Sequence, residues 1–247
     1  MRVTVIGCSG SFPGPDSPAS CYLVEHDASA VLLDLGSGAL GPLQQHVDLD
    51  RIDAVLLSHL HADHCLDLTG YYVYRHYHPR GPLPAIPVFG PVGTADRMAR
   101  AYDLDVDPGM TTVFDFRTHV DSVQIGPFEV SVARVRHPVE AYGIRVAAGG
   151  RSVVYSGDTG PTESLRALAR EADLALFEAS FLDGGEQPDL HMTARQAGGE
   201  AAAAGVRHLV LTHLVPWNDA RLTLAQAQEA FTGPVELAQS GAVFDLA

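Results

Sequence analysis

Short apolar runs separated by turn residues dominate this chain, and most of them have the length of β-strands. Continuous apolar runs at 52–57, 174–177 and 208–212 predict buried strands. Two segments alternate between apolar and polar residues around Gly-Pro and Gly-Gly turns, which predicts hairpins at 123–136 and 142–155. Further strands are expected at 2–7, 21–24, 30–34 and 87–90.

Helical patterns lie between and after these strands. Helices are predicted at 66–77, 94–102, 162–171 and 222–231, and an alanine-rich helix ends at Gly205. The acidic, mixed stretch at 103–121 gives no clear pattern. Because strands dominate each half of the chain, we expect an α/β sandwich of two packed, mixed β-sheets flanked by helices. No internal repeat or low-complexity linker divides the sequence, which favours a single domain over 1–247.

The first buried run ends in a dense group of potential metal ligands: His59, His61, Asp63 and His64. Two histidines two positions apart can reach one cation from a tight turn, while the other two side chains can serve a second cation nearby. One such histidine alone would be interpreted as a solvated loop residue, but four ligands directly after a strand favour a metal site. Imidazole nitrogen together with carboxylate oxygen suits zinc or a similar first-row metal.

The same arrangement recurs later in the chain. His137, Asp158 and His213 each follow a predicted strand. Loops at one edge of a sheet sandwich converge on one place, so we expect these three side chains to join the histidine group.

The His-x-His-x-Asp-His pattern resembles the signature of the metallo-β-lactamase fold superfamily, and the later positions match its motif order. The resemblance implies an αβ/βα sandwich that holds two divalent ions, zinc or alternatively manganese or iron. It assigns one ion to His59, His61 and His137, the other to Asp63, His64 and His213, and both to Asp158. A hydroxide shared by the ions would be the nucleophile, oriented by Asp63. Asp34 matches an aspartate that braces the histidine loop in the family; a plain surface carboxylate is the alternative.

The C-terminal part resembles a narrower group. Residues 177–181, 191–198 and 209–213 are similar to the phosphodiesterase branch that includes the transfer-RNA 3′-processing ribonuclease Z. The resemblance makes His191, which stands before a Thr-Ala pair two positions on, the donor of a proton to the leaving alkoxide. The alternative for His191 is a histidine at a helix N-terminus in a polar loop.

One departure from ribonuclease Z concerns its long protruding arm. Only residues 138–157 lie between His137 and Asp158, and the predicted hairpin fills them. The formal net charge is −14, which opposes broad contact with a nucleic-acid backbone. We therefore expect a small anionic substrate and no docking of folded transfer RNA. The whole chain resembles armless bacterial proteins of this fold, which include phosphodiesterases that degrade cyclic nucleotides.

The expected function is hydrolysis of a small phosphodiester, such as a 3′,5′-cyclic nucleotide. Three alternatives remain open: a ribonuclease Z-like nuclease, a hydrolase of carboxylic esters, lactones or thioesters, and a non-catalytic binding protein whose metal ions only stabilise the fold. Metal analysis and assays on each substrate class separate them.

Aromatic and arginine side chains are the candidates to hold a base: Tyr142, Trp217, Tyr74 and Arg75. The tyrosine-rich helix would equally suit a subunit interface, and a homodimer is expected. All sixteen basic residues are arginine, so Schiff-base chemistry on lysine is excluded. The N-terminus lacks a signal-peptide pattern and no apolar run approaches a membrane span, so we expect a cytoplasmic protein with no membrane partner.

Overall fold

The computed structural model describes residues 1–185 and 189–247. Its strands form two mixed sheets of seven strands each. In spatial order, the first sheet consists of β14 (Val243–Asp245), β1 (Arg2–Gly7), β2 (Cys21–His26), β3 (Ser29–Leu33), β4 (Ala54–Leu56), β5 (Ile86–Gly90) and β6 (Phe114–Thr118). The second sheet consists, in spatial order, of β13 (Val235–Leu237), β12 (Leu209–Thr212), β11 (Leu174–Glu178), β10 (Arg151–Tyr155), β9 (Tyr142–Ala148), β8 (Phe128–Arg134) and β7 (Ser122–Ile125).

Helices cover the outer faces of both sheets. Four pack beside the first sheet: α1 (Leu40–Leu43), α2 (Ala62–Cys65), α3 (Leu68–His76) and α4 (Thr94–Ala101). Three belong to the second half: α5 (Glu163–Leu168), α6 (Ala194–Ala204) and α7 (Ala220–Gln228). The expected α/β sandwich is therefore confirmed. No helix within the described ranges has the length and apolar character needed to cross a bilayer.

Alternating strand positions build the core between the sheets. Val3 and Val5 of β1 meet Val153 and Tyr155 of β10 in one buried cluster, while Ile6 turns to the outer helices. Period-two alternation thus lets each sheet be apolar on both faces, which explains the nearly continuous apolar runs in the sequence.

Parallel pairing sets the position of the site. β3, β4 and β5 run parallel to one another, and so do β10, β11 and β12. Parallel strands present their carboxyl ends at the same sheet edge, so the segments that follow β3, β4, β10, β11 and β12 gather there.

Several predicted boundaries were wrong. The helix expected at 66–77 is α3, which begins at Leu68 and ends at His76, and α5 ends at Leu168 rather than at 171. The short helix α2, which lies within the histidine motif, was not predicted. The patternless stretch at 103–121 contains β6, an edge strand with mostly exposed side chains. The short strands β13 and β14 were not predicted, because three partly exposed residues carry almost no alternation signal.

Candidate metal centre and active site

One group of ligand atoms gathers around His61. Its Nδ1 lies 2.9 Å from His59 Nε2 and 3.3 Å from His137 Nε2. Asp158 Oδ2 lies 3.6 Å from His59 Nε2. The four ligand atoms all lie within 4.8 Å of one another, a spacing that fits donors around a single cation.

A second group shares Asp158 with the first. His64 Nε2 lies 3.2 Å from Asp158 Oδ1 and 3.3 Å from Asp63 Oδ2. His213 Nε2 lies 3.2 Å from Asp63 Oδ2 and 3.4 Å from Asp158 Oδ2. All seven residues expected from the sequence thus meet in two adjoining groups, with Asp158 between them.

Hydrogen bonds on the far side of the rings leave a lone pair facing each group. His64 Nδ1 donates to Asp34 Oδ2 at 2.7 Å, and His137 Nδ1 donates to the Leu190 carbonyl at 2.9 Å. His213 Nδ1 lies 2.8 Å from Ser180 Oγ, whose own hydroxyl donates to the His213 carbonyl. With Nδ1 protonated in this way, Nε2 of these three rings is the acceptor and the potential metal ligand.

Two buried atoms test whether the residues fit a cation. Within the described part of the chain, His64 Nε2 and Asp158 Oδ1 have no hydrogen-bond partner, although both are fully enclosed. Buried polar atoms normally find a partner, and a cation between them supplies one. The donor set, imidazole nitrogens with carboxylate oxygens, fits zinc and similar divalent metals.

Burial and charge act differently on the two groups. Burial lowers the pKa of His59, His61 and His137, which keeps these rings neutral and able to ligate. Burial also acts to lower the pKa of His64, but the carboxylates of Asp158 and Asp34 outweigh it and raise that pKa. The pKa of Asp158 is lowered despite its burial, because His213, His64 and His59 surround the carboxylate.

Asp34 holds the histidine loop from behind. Its carboxylate accepts hydrogen bonds from the Ser58 amide at 2.6 Å, the Ser58 hydroxyl at 2.7 Å and the Tyr155 hydroxyl at 2.8 Å, besides that from His64. Asp34 is fully buried and its φ is +58°. The residue therefore links the end of β3 to the start of the histidine loop, and it is not a surface carboxylate.

A buried acid–base pair borders the second group. His191 Nδ1 donates to Glu178 Oε1 at 2.7 Å, and Glu178 also accepts from the amides of Thr159 at 2.8 Å and Ser180 at 3.2 Å. The His191 ring centre lies 5.3 Å from that of His213 and 5.6 Å from that of His137. Burial acts to lower the pKa of His191, but the Glu178 hydrogen bond and charge outweigh it and raise that pKa. No role was predicted for Glu178, although it stands at the end of a buried strand and within the segment 177–181 that resembles the phosphodiesterase branch.

Comparison with known proteins agrees with this geometry. The family model described as the β-lactamase superfamily domain matches residues 29–214. The chain belongs to the metallo-β-lactamase fold superfamily. It is similar to an uncharacterized protein of Mycobacterium leprae, with 44% identity over all of this chain and 89% of that protein. It is also similar to the probable metallo-hydrolase YhfI of Bacillus subtilis, with 31% identity over 99% of this chain and all of that one.

The metallo-β-lactamase fold is equally clear from solved structures. The crystal structure of YhfI matches with a TM-score of 0.88 and 29% identity, over 98% of both chains.

The sequence is also similar to ribonuclease Z of Mycobacterium bovis, with 32% identity over 87% of this chain and 86% of that protein. The chain is a metallo-hydrolase of this fold, and its resemblance to the ribonuclease Z branch is confirmed.

Two of the four side chains expected to contact substrate lie on segments that border the metallo-hydrolase site. Trp217 follows His213 by four residues, and its ring lies 5.9 Å from that of Phe12, a residue with no predicted role. The backbone amide of Tyr142 donates to the Ser58 carbonyl at 3.0 Å, next to His59. The Tyr142 hydroxyl donates to Glu140 and its ring lies 4.8 Å from that of His119.

The other two expected contacts, Tyr74 and Arg75, lie elsewhere. The Tyr74 hydroxyl donates to Asp50 at 2.7 Å, in a single turn of 3₁₀-helix that precedes β4, whereas the histidine loop follows β4. Arg75 is buried, with its guanidinium on the Tyr71 hydroxyl and the Pro84 carbonyl. The expectation that these two side chains hold the substrate was wrong, because α3 directs them to the opposite end of β4.

Proposed function

We propose that this protein is a phosphodiesterase that uses two divalent metal ions to hydrolyse a small phosphodiester, such as a 3′,5′-cyclic nucleotide. The observation that carries the proposal is the buried Glu178–His191 pair beside His213 and His137. Hydrolysis of an unactivated phosphodiester expels an alkoxide, which is a poor leaving group until it is protonated. A histidine held at this place by a carboxylate meets that need.

The ions would be held by the residues of the two groups described above, with Asp158 common to both. When bound, they would supply Lewis-acid activation of water and stabilisation of charge on the phosphoryl group. Zinc is the metal that we propose, with manganese or iron as alternatives.

The chain's own side chains divide the remaining work. His191 engages Glu178 through Nδ1, so its Nε2 is the atom that holds the proton for the departing oxygen. Glu178 stabilises the protonated ring, in which both nitrogens carry a proton, and fixes its orientation, and Thr159 and Ser180 fix Glu178 in turn. Asp63 directs Oδ2 to His64 and His213, and we assign its other oxygen to orient the attacking water. As the P–O bond breaks, the proton passes from His191 to the leaving alkoxide.

The test is conversion of cyclic AMP to AMP by metal-loaded protein. We expect chelation to abolish turnover and added zinc to restore it. His191→Ala is expected to keep the metal content and to lose roughly 10²–10⁴-fold in turnover, the range typical of general acid–base catalysis. With an activated p-nitrophenyl ester, whose leaving group needs no proton, the loss is expected to be much smaller.

The matched control is His208→Ala. His208 Nε2 also pairs with a glutamate, Glu236 Oε1, at 2.8 Å, but it precedes β12 whereas His213 follows it. This variant is expected to hydrolyse cyclic AMP at the wild-type rate. Absence of any chelator-sensitive hydrolysis by protein that binds metal would reject the phosphodiesterase proposal.

A ribonuclease Z-like activity is the second candidate, favoured by 32% identity to the Mycobacterium bovis enzyme. Against it, β9 and β10 with their Gly149-Gly150 turn occupy the interval between His137 and Asp158, and the net charge is −14. Cleavage of a precursor transfer RNA at the rate found for cyclic AMP would favour this candidate.

We place the protein in the cytoplasm as a homodimer, a proposal that cell fractionation and light scattering test.

A further inference from the structure

An exposed aromatic pair borders the site and is not used by the mechanism above. Phe12 and Trp217 expose 43% and 71% of their surfaces, yet their rings contact each other with centres 5.9 Å apart and an interplanar angle of 37°. Single exposed aromatic residues are common on soluble proteins. Two that meet from segments 205 positions apart form a defined apolar surface instead.

Both segments are anchored to the metal-ligand residue His213. The amide of Gly10 donates to the Leu214 carbonyl and that of Leu214 donates to the Cys8 carbonyl, each at 3.0 Å. The Ser11 amide lies 3.3 Å from His213 Nε2, so the residue next to Phe12 faces the ligand atom itself. Gly10 permits this approach, because a Cβ there would lie 2.6 Å from the His213 carbonyl oxygen.

The Trp217 side is held in the same way. Asn218 Nδ2 donates to the Ser180 carbonyl at 2.9 Å, and Ser180 Oγ lies 2.8 Å from His213 Nδ1. The backbone of both segments is therefore fixed relative to the site, while the two rings stay open to solvent.

We propose that Phe12 and Trp217 form the surface that stacks on the nucleobase of the substrate. This inference rests on the proposed phosphodiesterase function and gives its substrate class: a phosphodiester that carries a planar aromatic base. Aromatic side chains bind bases through their faces and accept any base, and a pair anchored to His213 places the base beside the group that receives the phosphate. In this proposal Trp217 has the base-binding role predicted for it, and Phe12 takes the role predicted for Tyr74 and Arg75.

A direct binding measurement is available because Trp217 is the only tryptophan in the chain. Intrinsic tryptophan fluorescence of the metal-loaded protein is titrated with AMP and, as the base-free probe, with ribose 5-phosphate. We expect AMP to quench the fluorescence and ribose 5-phosphate to leave it nearly unchanged. Phe12→Ala is expected to weaken AMP binding roughly 5–150-fold, the equivalent of about 1–3 kcal/mol per stacked base.

The matched control is Tyr77→Ala, which removes an aromatic side chain of 67% exposure whose ring lies 4.7 Å from that of His76, at the C-terminal end of α3. This variant should bind AMP as the wild type does. In kinetics, Phe12→Ala and Trp217→Ala should raise KM for cyclic AMP with little change in kcat, and Trp217→Phe should recover most of the loss. The substitutions of Phe12 and Trp217 should not alter turnover of ribose 3′,5′-cyclic phosphate, which has no base.

The outcomes separate this inference from the proposed function. Hydrolysis of cyclic AMP with no quenching, or with AMP affinity unchanged in Phe12→Ala, would overturn the stacking surface and leave the phosphodiesterase intact. Quenching by AMP that is lost in Phe12→Ala, without hydrolysis of cyclic AMP, would support the surface and reject the reaction.

Discussion

Two histidine–glutamate pairs of nearly equal length lie near opposite ends of β12. His191 and Glu178 are 2.7 Å apart, and His208 and Glu236 are 2.8 Å apart. The first pair is buried beside His213 and fixed by the amides of Thr159 and Ser180. The second is half exposed, and its histidine packs against Phe244.

The difference shows that a residue pair and its distance do not make a catalytic group. Burial strengthens the Glu178–His191 interaction, since water does not screen it. In the proposed reaction, a phosphodiester held at the neighbouring ligand groups brings its leaving oxygen to the His191 proton. Exposed ion pairs such as His208–Glu236 contribute little to stability or chemistry. Variants of Asp158, Glu178, Asp34 and Tyr74 test how far this contrast holds, with Glu236→Gln as the matched change.

Asp158→Ala is expected to have the largest effect, because Asp158 is common to both ligand groups. Hydrolysis of every ester, activated or not, should fall more than roughly 100-fold, since loss of a residue behind the ligands already costs about 10–100-fold. The measurement is kcat/KM on cyclic AMP and on a p-nitrophenyl ester. A normal rate on either substrate would exclude Asp158 from the chemistry.

Glu178→Gln compares the two pairs directly. The amide keeps the shape of the side chain but removes the charge that holds His191, so we expect roughly a 10–100-fold loss on cyclic AMP with much less loss on the activated ester. Glu236→Gln is the matched change and should leave both rates unchanged. Equal losses in the two variants would show that the contrast between the pairs is wrong.

Asp34→Asn tests the support of the histidine loop. The amide replaces one acceptor oxygen by a donor group among the four hydrogen bonds that Asp34 accepts. Metal affinity is expected to fall roughly 10–100-fold, with activity recovering at high metal concentration. Competition with a chelator of known affinity measures this shift, and an unchanged affinity would reduce Asp34 to a structural residue.

Tyr74→Phe should have the smallest effect. The variant loses one exposed hydrogen bond to Asp50, worth roughly 0.5–1.5 kcal/mol of unfolding free energy, and its activity should equal that of the wild type. Urea unfolding and the cyclic AMP assay check the two parts. A raised KM for cyclic AMP would indicate instead that Tyr74 on α3 contacts the substrate.

Sequence patterns predicted the sandwich because the central strands are buried on both faces. Leu174–Glu178 and Leu209–Thr212 are fully buried, and their nearly continuous apolar runs predict buried strands from the sequence alone. β6 could not be predicted from the sequence, because Phe114–Thr118 is an edge strand with charged, exposed positions. Its position depends on pairing with β5, which is a tertiary contact.

The site residues could be predicted from the sequence where they follow predicted strands. His59, Asp158 and His213 follow strands of the parallel parts of the two sheets, whose carboxyl ends meet at one edge. His137 follows β8, which runs in the same direction as β10 because both pair antiparallel with β9. Phe12 could not be predicted in the same way, and for Glu178 the position at a strand end did not by itself indicate a role. Phe12 gains its role from a ring that is distant in sequence, and Glu178 gains its role from the loop that carries His191.

The measurement that tests the central claim most directly is the number of metal ions per chain. Metal-free protein is titrated with zinc while bound metal is counted by elemental analysis and hydrolysis of cyclic AMP is followed in the same samples. We predict two ions per chain, with activity that requires both, and fewer ions in Asp158→Ala. A single ion in a closed four-ligand site, with no hydrolysis at any zinc concentration, would contradict the account and favour a metal ion that only stabilises the fold.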